Sequence, residues 1–364
     1  MLTMVFQLHA LASPGVEFSC IGACDAPRHV ASLGGNALMG GHMFPGAPTI
    51  PSDLVAYRWL LERAAGGDVL VLTCDEAPWD IYNPFLFNMS DVATSPNSVT
   101  TARFTGREGA SSAELAGLLH GASLIFITGG DQSKYFTYWR DTAVSEALSS
   151  GVAVGGSSAG LAIQGEFIFD AAHGGVTSED ALMYPTDSEV SLAQSFVAVN
   201  EPRMRGVLTD THFIQRDRMG RLVTFLAHVA AAGWTKDDNQ TTKQTGVLGV
   251  GISEHTAVLV PPPIPSSGAD SAEVAAAVGA SFVGVGPVYF LRNHGRAPTT
   301  LEEGKPLSWR GLGIDVWRWS NETVAGAKFH FDTWTSTPVG SGTAYRLTAA
   351  NGALASTQPG GAIY

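Results

Sequence analysis

Short apolar runs recur along the chain, and most are followed by a glycine-rich or polar turn and then by a helical pattern. The clearest runs occupy residues 69–73, 124–128 and 152–154. Continuous apolar runs of this length are typical of strands that are buried on both faces, and helices between them indicate parallel crossovers. The pattern therefore predicts an α/β protein with a central, mostly parallel sheet.

Three segments have the spacing of helices: 53–65, 112–120 and 221–232. In the last segment the apolar side chains recur at i, i+3, i+4 and i+7, which indicates an amphipathic helix: Leu222, Phe225, Leu226 and Val229. Residues 235–245 are polar and without pattern, so we expect an exposed loop there.

The last third of the chain is richer in strand patterns than in helical ones. Residues 247–252 and 256–260 predict two strands around a tight bend, and 261–273 has the composition of a linker. We expect an N-terminal segment (1–29), an α/β domain (30–320) and a strand-rich C-terminal extension (321–364) that packs on the same domain.

Charge excludes two classes of partner. The 364 residues carry a net charge of -12 and only 21 lysines and arginines. A nucleic-acid phosphate footprint needs a basic face, and so does binding to anionic lipid. We therefore expect a peptide or small-molecule substrate, with neither nucleic acid nor membrane as a partner.

The cysteines and the N-terminus bear on the compartment. Three cysteines are too few for a disulfide framework, and we interpret Cys20, Cys24 and Cys74 as buried thiols, with a Cys20–Cys24 bridge as the alternative. The mildly apolar N-terminus lacks the basic region of a secretory signal, and no run approaches the ~20 apolar residues of a membrane span. These features favour a cytoplasmic protein, with a secreted form carrying a trimmed signal as the alternative.

Residues 156–160, Gly-Ser-Ser-Ala-Gly, match the G-x-S-x-G pattern of a nucleophile at a sharp strand-to-helix bend. The middle residue, Ser158, would occupy the tip of the bend. A nucleophile in such a strained turn needs small neighbours, because larger side chains at the flanking positions would collide. The alternative is an ordinary turn in which a serine caps the next helix.

Two backbone amides are candidates for an oxyanion hole. Gly129 and Gly130 end the preceding predicted strand, and neighbouring parallel strands end at the same edge of a sheet. The Gly130 and Ala159 amides could therefore supply the two donors that acyl transfer requires. The alternative is that the glycine pair only makes the turn tight.

Two downstream residues could complete a catalytic triad. His212 lies in a predicted loop and could accept the serine proton, since imidazole titrates near neutral pH. Glu254 lies at the bend between two apolar strands and could orient that imidazole. The alternatives are a structural histidine, an exposed turn glutamate, and His255 as a competing base whose position beside Glu254 makes reach to Ser158 awkward.

Three arginines follow His212 within ten residues: Arg216, Arg218 and Arg221. Such a cluster is usually a solvated face. In a chain with so few cations it also suits recognition of a carboxylate, which the guanidinium fork matches.

Four segments together resemble the cyanophycinase family, the serine peptidases related to aspartyl dipeptidase. They are GGDQ at 129–132, GGSSAG at 155–160, DTHFIQRDRMGRL at 210–222 and GISEHTA at 251–257. The resemblance covers roughly residues 30–260. It implies a flavodoxin-like three-layer α/β/α fold, a Ser158–His212–Glu254 triad without metal or cofactor, and a homodimer. It also places a set of residues in the substrate pocket: Gln132, Asp210, Thr211, Arg216, Arg218 and Arg221.

The expected activity is that of a serine exopeptidase that cleaves cyanophycin, an arginine-decorated poly-aspartate, into β-Asp-Arg dipeptides through an acyl-enzyme. Thr211 departs from the family pattern, which often has glutamine before the catalytic histidine. The alternative is therefore an isoaspartyl or α-aspartyl dipeptidase, or another small acyl hydrolase with the same triad. A non-catalytic binding module and an amidotransferase-like role are further alternatives, although the latter chemistry uses a cysteine where Ser158 stands.

Overall fold

A computed structural model of the chain describes residues 11–46, 50–76, 78–89, 95–194, 204–234, 246–262, 279–320 and 326–364. The loop predicted at 235–245 and most of the linker-like segment at 261–273 lie outside these residues. Among the described residues the strands form two large sheets and one two-stranded hairpin.

The central sheet has nine described strands. In spatial order they are β1 (Leu11–Ser13), β2 (Val16–Gly22), β5 (Ser98–Phe104), β4 (Asp68–Thr73), β6 (Ala122–Ile127), β7 (Ala153–Ser157), β3 (Asn36–Met39), β12 (Thr256–Val260) and β13 (Ser281–Gly284). The five strands from β5 to β3 are mutually parallel, and the outer strands join them antiparallel. The predicted α/β class and mostly parallel central sheet are confirmed.

Helices cover both faces of the central sheet. One face carries α1 (Pro51–Ala64) and α2 (Tyr82–Phe87). The other carries α3 (Ala113–Gly121), α4 (Gln132–Trp139) and α5 (Ala143–Leu148). Strand β4 explains this division, because its side chains alternate: Val69 and Val71 pack with the first group, Leu70 and Leu72 with the second. A strand buried on both faces accounts for its unbroken apolar sequence.

The second sheet is largely antiparallel. Its described strands, in spatial order, are β19 (Ala353–Ser356), β18 (Thr343–Ala350), β15 (Trp309–Trp319), β14 (Val288–Asn293), β11 (Leu248–Ile252), β10 (Val207–Asp210), β8 (Phe167–Phe169) and β9 (Leu192–Gln194). Among the described strands of this sheet, only the neighbours β8, β10 and β11 run parallel. Helices α7 (Ser178–Met183) and α8 (Met219–Ala231) contribute to the core of this sheet, and the hairpin of β16 (Lys328–His330) and β17 (Thr335–Thr337) joins a second core. The four-residue helix α6 (Ala159–Ala162) follows β7.

The bend at 253–255 carries the chain from one sheet to the other. The sequence predicts two strands around this bend, and both are present, but β11 belongs to the second sheet and β12 to the central sheet. The first and last described strands are divided in the same way, since β1 and β2 extend the central sheet while β18 and β19 extend the second. The division into segments 1–29, 30–320 and 321–364 stays a prediction.

The interpretation of all three cysteines as buried thiols is wrong for two of them. Cys20 and Cys24 form a disulfide, because the turn after β2 brings their Cα atoms to 6.1 Å. Cys74 is a buried free thiol, as expected. Within the described part of the chain, none of the helices has both the length and the apolar character needed to cross a membrane.

Candidate active site

Ser158 occupies a strained bend between β7 and α6. Its φ and ψ are 54° and -116°, a conformation that a residue with a side chain adopts rarely. Steric contact requires glycine at the flanking positions, because a Cβ on Gly156 would lie 2.3 Å from the carbonyl oxygen of Gly160. The bend therefore has the backbone geometry and the small neighbours expected of G-x-S-x-G.

The side chains of Ser158, His212 and Glu254 form one hydrogen-bonded chain. Ser158 Oγ lies 2.7 Å from His212 Nε2, and His212 Nδ1 lies 2.6 Å from Glu254 Oε1. His212 follows β10 and Glu254 follows β11, and because these neighbouring strands are parallel, both residues lie at the same edge of the second sheet. The structure thus brings the three predicted residues together from two sheets.

The end of β3 links the loops that carry these side chains. The Ser158 amide donates to the carbonyl of Met39 at 3.1 Å, and the His212 amide donates to that of Gly40 at 2.7 Å. Gly41 passes directly over the imidazole, since a Cβ there would lie 2.3 Å from His212 Cε1. This segment was not predicted from the sequence, although a glycine pair directly after a buried strand was the available signal.

The predicted oxyanion donors lie at the ends of β6 and β7, which are parallel neighbours. A Cβ on Gly129 would lie 3.5 Å from Ser158 Cβ, so the glycine turn abuts the nucleophile candidate. The Gly129 carbonyl accepts hydrogen bonds from the hydroxyls of Thr128 and Tyr135. In a trans peptide the next N–H points the opposite way, so the Gly130 N–H faces away from those hydroxyls.

The pKa of His212 is strongly shifted. Burial is the largest cause and lowers the pKa, the hydrogen bond and charge of Glu254 raise it, and the positive charges of Arg216 and Arg218 lower it; the net pKa is about 4. The imidazole is therefore neutral at neutral pH, the form in which Nε2 can accept a proton while Nδ1–H donates to Glu254.

Most of the predicted substrate-binding residues form hydrogen bonds or ion pairs with one another. Arg221 holds Asp210 in a bidentate ion pair, Nε–Oδ2 2.8 Å and Nη2–Oδ1 2.5 Å, with the two residues only 4% and 2% exposed. Arg218 bonds to the Thr211 hydroxyl at 2.8 Å and to the Thr211 carbonyl at 3.0 Å. Burial raises the pKa of Asp210, but the two arginines and the hydrogen bonds to Arg221 and Thr211 outweigh it, and the net pKa is lowered. This network suits a role in holding the His212 loop better than direct contact with a substrate.

A cavity of about 590 Å³ opens beside Ser158. Its lining includes Gly129, Gly130, Ser158, His212 and, of the predicted arginines, Arg216. Other lining groups follow the carboxyl end of β4, where ligands bind in open parallel sheets: Asp75, Glu76, Pro78, Trp79, Ile81 and Tyr82. Gln132 lies at the start of α4, half-buried, and donates to the Phe169 carbonyl at 3.4 Å.

His42 is a part of the cavity wall that was not predicted from the sequence. Its Nε2 lies 3.5 Å from Glu254 Oε1, and its ring meets that of His212 edge-on at 5.8 Å. Among the described residues, His42, His212 and Glu254 form a group whose ligand atoms all lie within 4.8 Å, close enough to hold a metal ion. His255 is engaged elsewhere, since its Nδ1 lies 3.0 Å from Asp53 Oδ2.

Together these features define a mixed α/β protein with a mainly parallel central sheet, a second largely antiparallel sheet, and a serine, a histidine and a glutamate in contact where strand ends of the two sheets meet. No family model matches the chain. Over 126 residues, 33% of this chain, it is 32% identical to cyanophycinases from Trichormus variabilis and from Nostoc sp.. The matched region spans 38% of the length of those relatives. The resemblance predicted from the four motifs is therefore confirmed as a distant relationship over a third of the chain.

A solved structure, the crystal structure of a peptidase from an acI-B1 Actinobacterium, matches 71% of this chain and 90% of its own. The TM-score is 0.45 and the sequence identity 15%.

Proposed function

We propose that the chain is a serine-type peptidase that acts on cyanophycin, releasing β-Asp-Arg dipeptides. The observation that carries the proposal is the hydrogen-bonded chain from Ser158 through His212 to Glu254, with the serine held on a strained bend beside a cavity. Each contact has the distance that nucleophilic catalysis requires, and the third residue orients the second.

In this mechanism the neutral His212 takes the Ser158 proton at Nε2 as the hydroxyl oxygen attacks the scissile carbonyl. Glu254 accepts from Nδ1–H throughout and stabilises the imidazolium. The Gly130 and Ala159 amides stabilise the oxyanion. The imidazolium then protonates the leaving amine, an acyl-enzyme remains on Ser158, and a water deprotonated by His212 hydrolyses it.

The charges around the cavity support a substrate with both signs of charge. Asp75 and Glu76 are exposed carboxylates on one part of the wall, and Arg216 contributes a guanidinium. A β-Asp-Arg unit carries a guanidinium and a carboxylate, so the two acids would meet the first and Arg216 the second. The buried network of Asp210, Arg218 and Arg221 would then position the loop of Arg216 and His212.

We expect Asp75→Asn to raise the KM for arginine-bearing substrates by about three- to tenfold, because it removes one attractive charge worth up to about 1.4 kcal/mol. The matched control is Glu302→Gln, which removes the same charge from an exposed pair with Lys305 on the surface. Steady-state kinetics on paired substrates with arginine or a neutral residue would measure the effect. Equal changes in KM for both substrates, or an equal change in the control, would contradict the assignment.

The substrate assignment is tested by release of amine from cyanophycin, β-aspartyl dipeptides and α-aspartyl dipeptides. Hydrolysis of the polymer with little action on dipeptides would support the proposal. Activity on dipeptides but none on the polymer would select the alternative, an isoaspartyl or α-aspartyl dipeptidase. Hydrolysis of simple esters alone would indicate a small acyl hydrolase.

The enzyme should lose activity only at unusually low pH. Because His212 must be neutral to act as the base and its pKa is lowered to about 4, kcat/KM should stay level from neutral pH and fall only as pH drops through about 4. Arg216→Gln should move the midpoint upward, since it removes a positive charge that opposes protonation, whereas Lys305→Gln, which removes a positive charge from an exposed pair with Glu302, should not. A pH profile with a midpoint near 6.5 in the parent protein would contradict this expectation.

Two further elements of the resemblance belong to the proposal. We infer that the central sheet and its two helical layers correspond to a flavodoxin-like α/β/α arrangement, and that the chain forms a homodimer. Helices on both faces of the sheet support the first. Light scattering on the purified protein tests the second.

A further inference from the structure

His42 has no role in the mechanism above, yet its position is closely defined. It follows the two glycines at the end of β3 and has a φ of 57°. Half of its side chain is exposed to the cavity, and its Nε2 is directed at the same carboxylate oxygen that His212 uses. Glu254 Oε1 is therefore shared between two imidazoles that approach from different directions.

The three ligand atoms all lie within 4.8 Å of one another, and the two distances to Glu254 Oε1 are within about 1 Å of the spacing in a tetrahedral zinc site. Zinc bonds of about 2.0–2.2 Å at tetrahedral angles separate neighbouring ligand atoms by about 3.3–3.6 Å. His42 Nε2 and Glu254 Oε1 are already 3.5 Å apart. His212 Nδ1 and Glu254 Oε1 are 2.6 Å apart and must separate by somewhat under about 1 Å, which side-chain rotation can supply.

We propose that His42, His212 and Glu254 bind Zn²⁺, and that this binding switches off the serine. Two imidazoles and one carboxylate are a ligand set that zinc uses in proteins, with a fourth position left to water. Hard cations such as Mg²⁺ prefer oxygen ligands and should bind poorly here.

The inhibition follows from where the proton of His212 must go. In the active form the proton is on Nδ1, and Nε2 has the lone pair that accepts the serine proton. Zinc takes the Nδ1 lone pair, so the neutral imidazole must carry its proton on Nε2 instead. His212 then donates to Ser158 Oγ and cannot act as its base, and Glu254 is bound to the metal. No proton is gained or lost by the imidazole overall.

The binding test uses the full chain, stripped with EDTA, dialysed and titrated with ZnCl₂ in a calorimeter. We expect one site in the parent protein and at least tenfold weaker binding in His42→Gln, since loss of a ligand should cost no less than loss of an outer hydrogen-bond partner, about 10- to 100-fold. His29→Gln is the matched control, because His29 stacks on His120 at 5.6 Å in a different cavity. Circular dichroism confirms that each variant is folded.

Inhibition is measured separately, as the rate at which a serine-directed organophosphonate labels Ser158 with and without zinc. Zinc should slow labelling of the parent and of His29→Gln, and at least tenfold more zinc should be needed for His42→Gln. No zinc binding by the parent, or equal affinity in His42→Gln, would overturn the proposal. Only the labelling experiment rests on the proposed function: zinc binding that depends on His42, in a chain that never reacts with the phosphonate, would leave the metal site standing and contradict the peptidase.

Discussion

Ser158→Ala should abolish hydrolysis while leaving the fold intact. The hydroxyl is the only group in the proposed mechanism that forms a bond to the substrate, and removing a triad serine lowers kcat by roughly a million-fold in the best-studied case. The alanine methyl fits wherever the serine Cβ does, so thermal unfolding and circular dichroism should match the parent. Release of amine from cyanophycin, or from whichever aspartyl substrate proves active, measures the loss.

The chain offers its own control for this variant. Ser157 is the neighbouring residue, ends β7 and also lines the cavity. The hydrogen bond to His212 comes from Ser158, not from the Ser157 hydroxyl. Ser157→Ala should keep most of the activity. Normal turnover by Ser158→Ala, or an equal loss in Ser157→Ala, would contradict the assignment of the nucleophile.

The second large effect concerns stability. Asp210→Ala should lower the free energy of unfolding by about 3–5 kcal/mol, because it leaves the Arg221 guanidinium buried without its bidentate partner. Urea denaturation measures the change. The Val176 carbonyl, 3.3 Å from Arg221 Nη1, is the remaining acceptor among the described residues and carries no compensating charge.

Two comparisons separate this effect from a general loss of charge. Glu302→Gln breaks an exposed pair with Lys305 at 2.6 Å and should cost less than about 1 kcal/mol. The double variant Asp210→Leu with Arg221→Met removes both buried charges and should recover much of the lost stability. Equal costs for the buried and exposed pairs, or no recovery in the double variant, would show that Asp210 and Arg221 are not coupled in this way.

Local patterns predicted the elements that position the serine. Segments 69–73 and 124–128 correspond to β4 and β6, and the helices predicted at 53–65 and 221–232 correspond to α1 and α8. These succeed because a doubly buried strand and an amphipathic helix are each visible within a dozen residues. The second sheet was not predicted, because its parallel centre joins strands separated by long stretches of chain and its outer strands have weak alternation.

The residues around the site show where sequence reasoning stops. Ser158, His212 and Glu254 were found because each lies in a short motif of unusual composition. The arginines were found too, but their environments were not. Arg221 forms a buried ion pair and Arg216 lines the cavity, and composition could not distinguish these two positions, since each depends on which strand the loop packs against. His42 was missed because the only local signal was the glycine pair before it, and its contact with Glu254 spans more than two hundred residues.

The central claim is that the Ser158 hydroxyl is an activated nucleophile. The most direct measurement is mass spectrometry of the protein after reaction with a fluorophosphonate at neutral pH. The account predicts a single adduct, on the peptide containing Ser158, that is absent from Ser158→Ala and from His212→Ala but present in Ser157→Ala. No adduct on the folded parent protein, or an adduct at another serine, would contradict it.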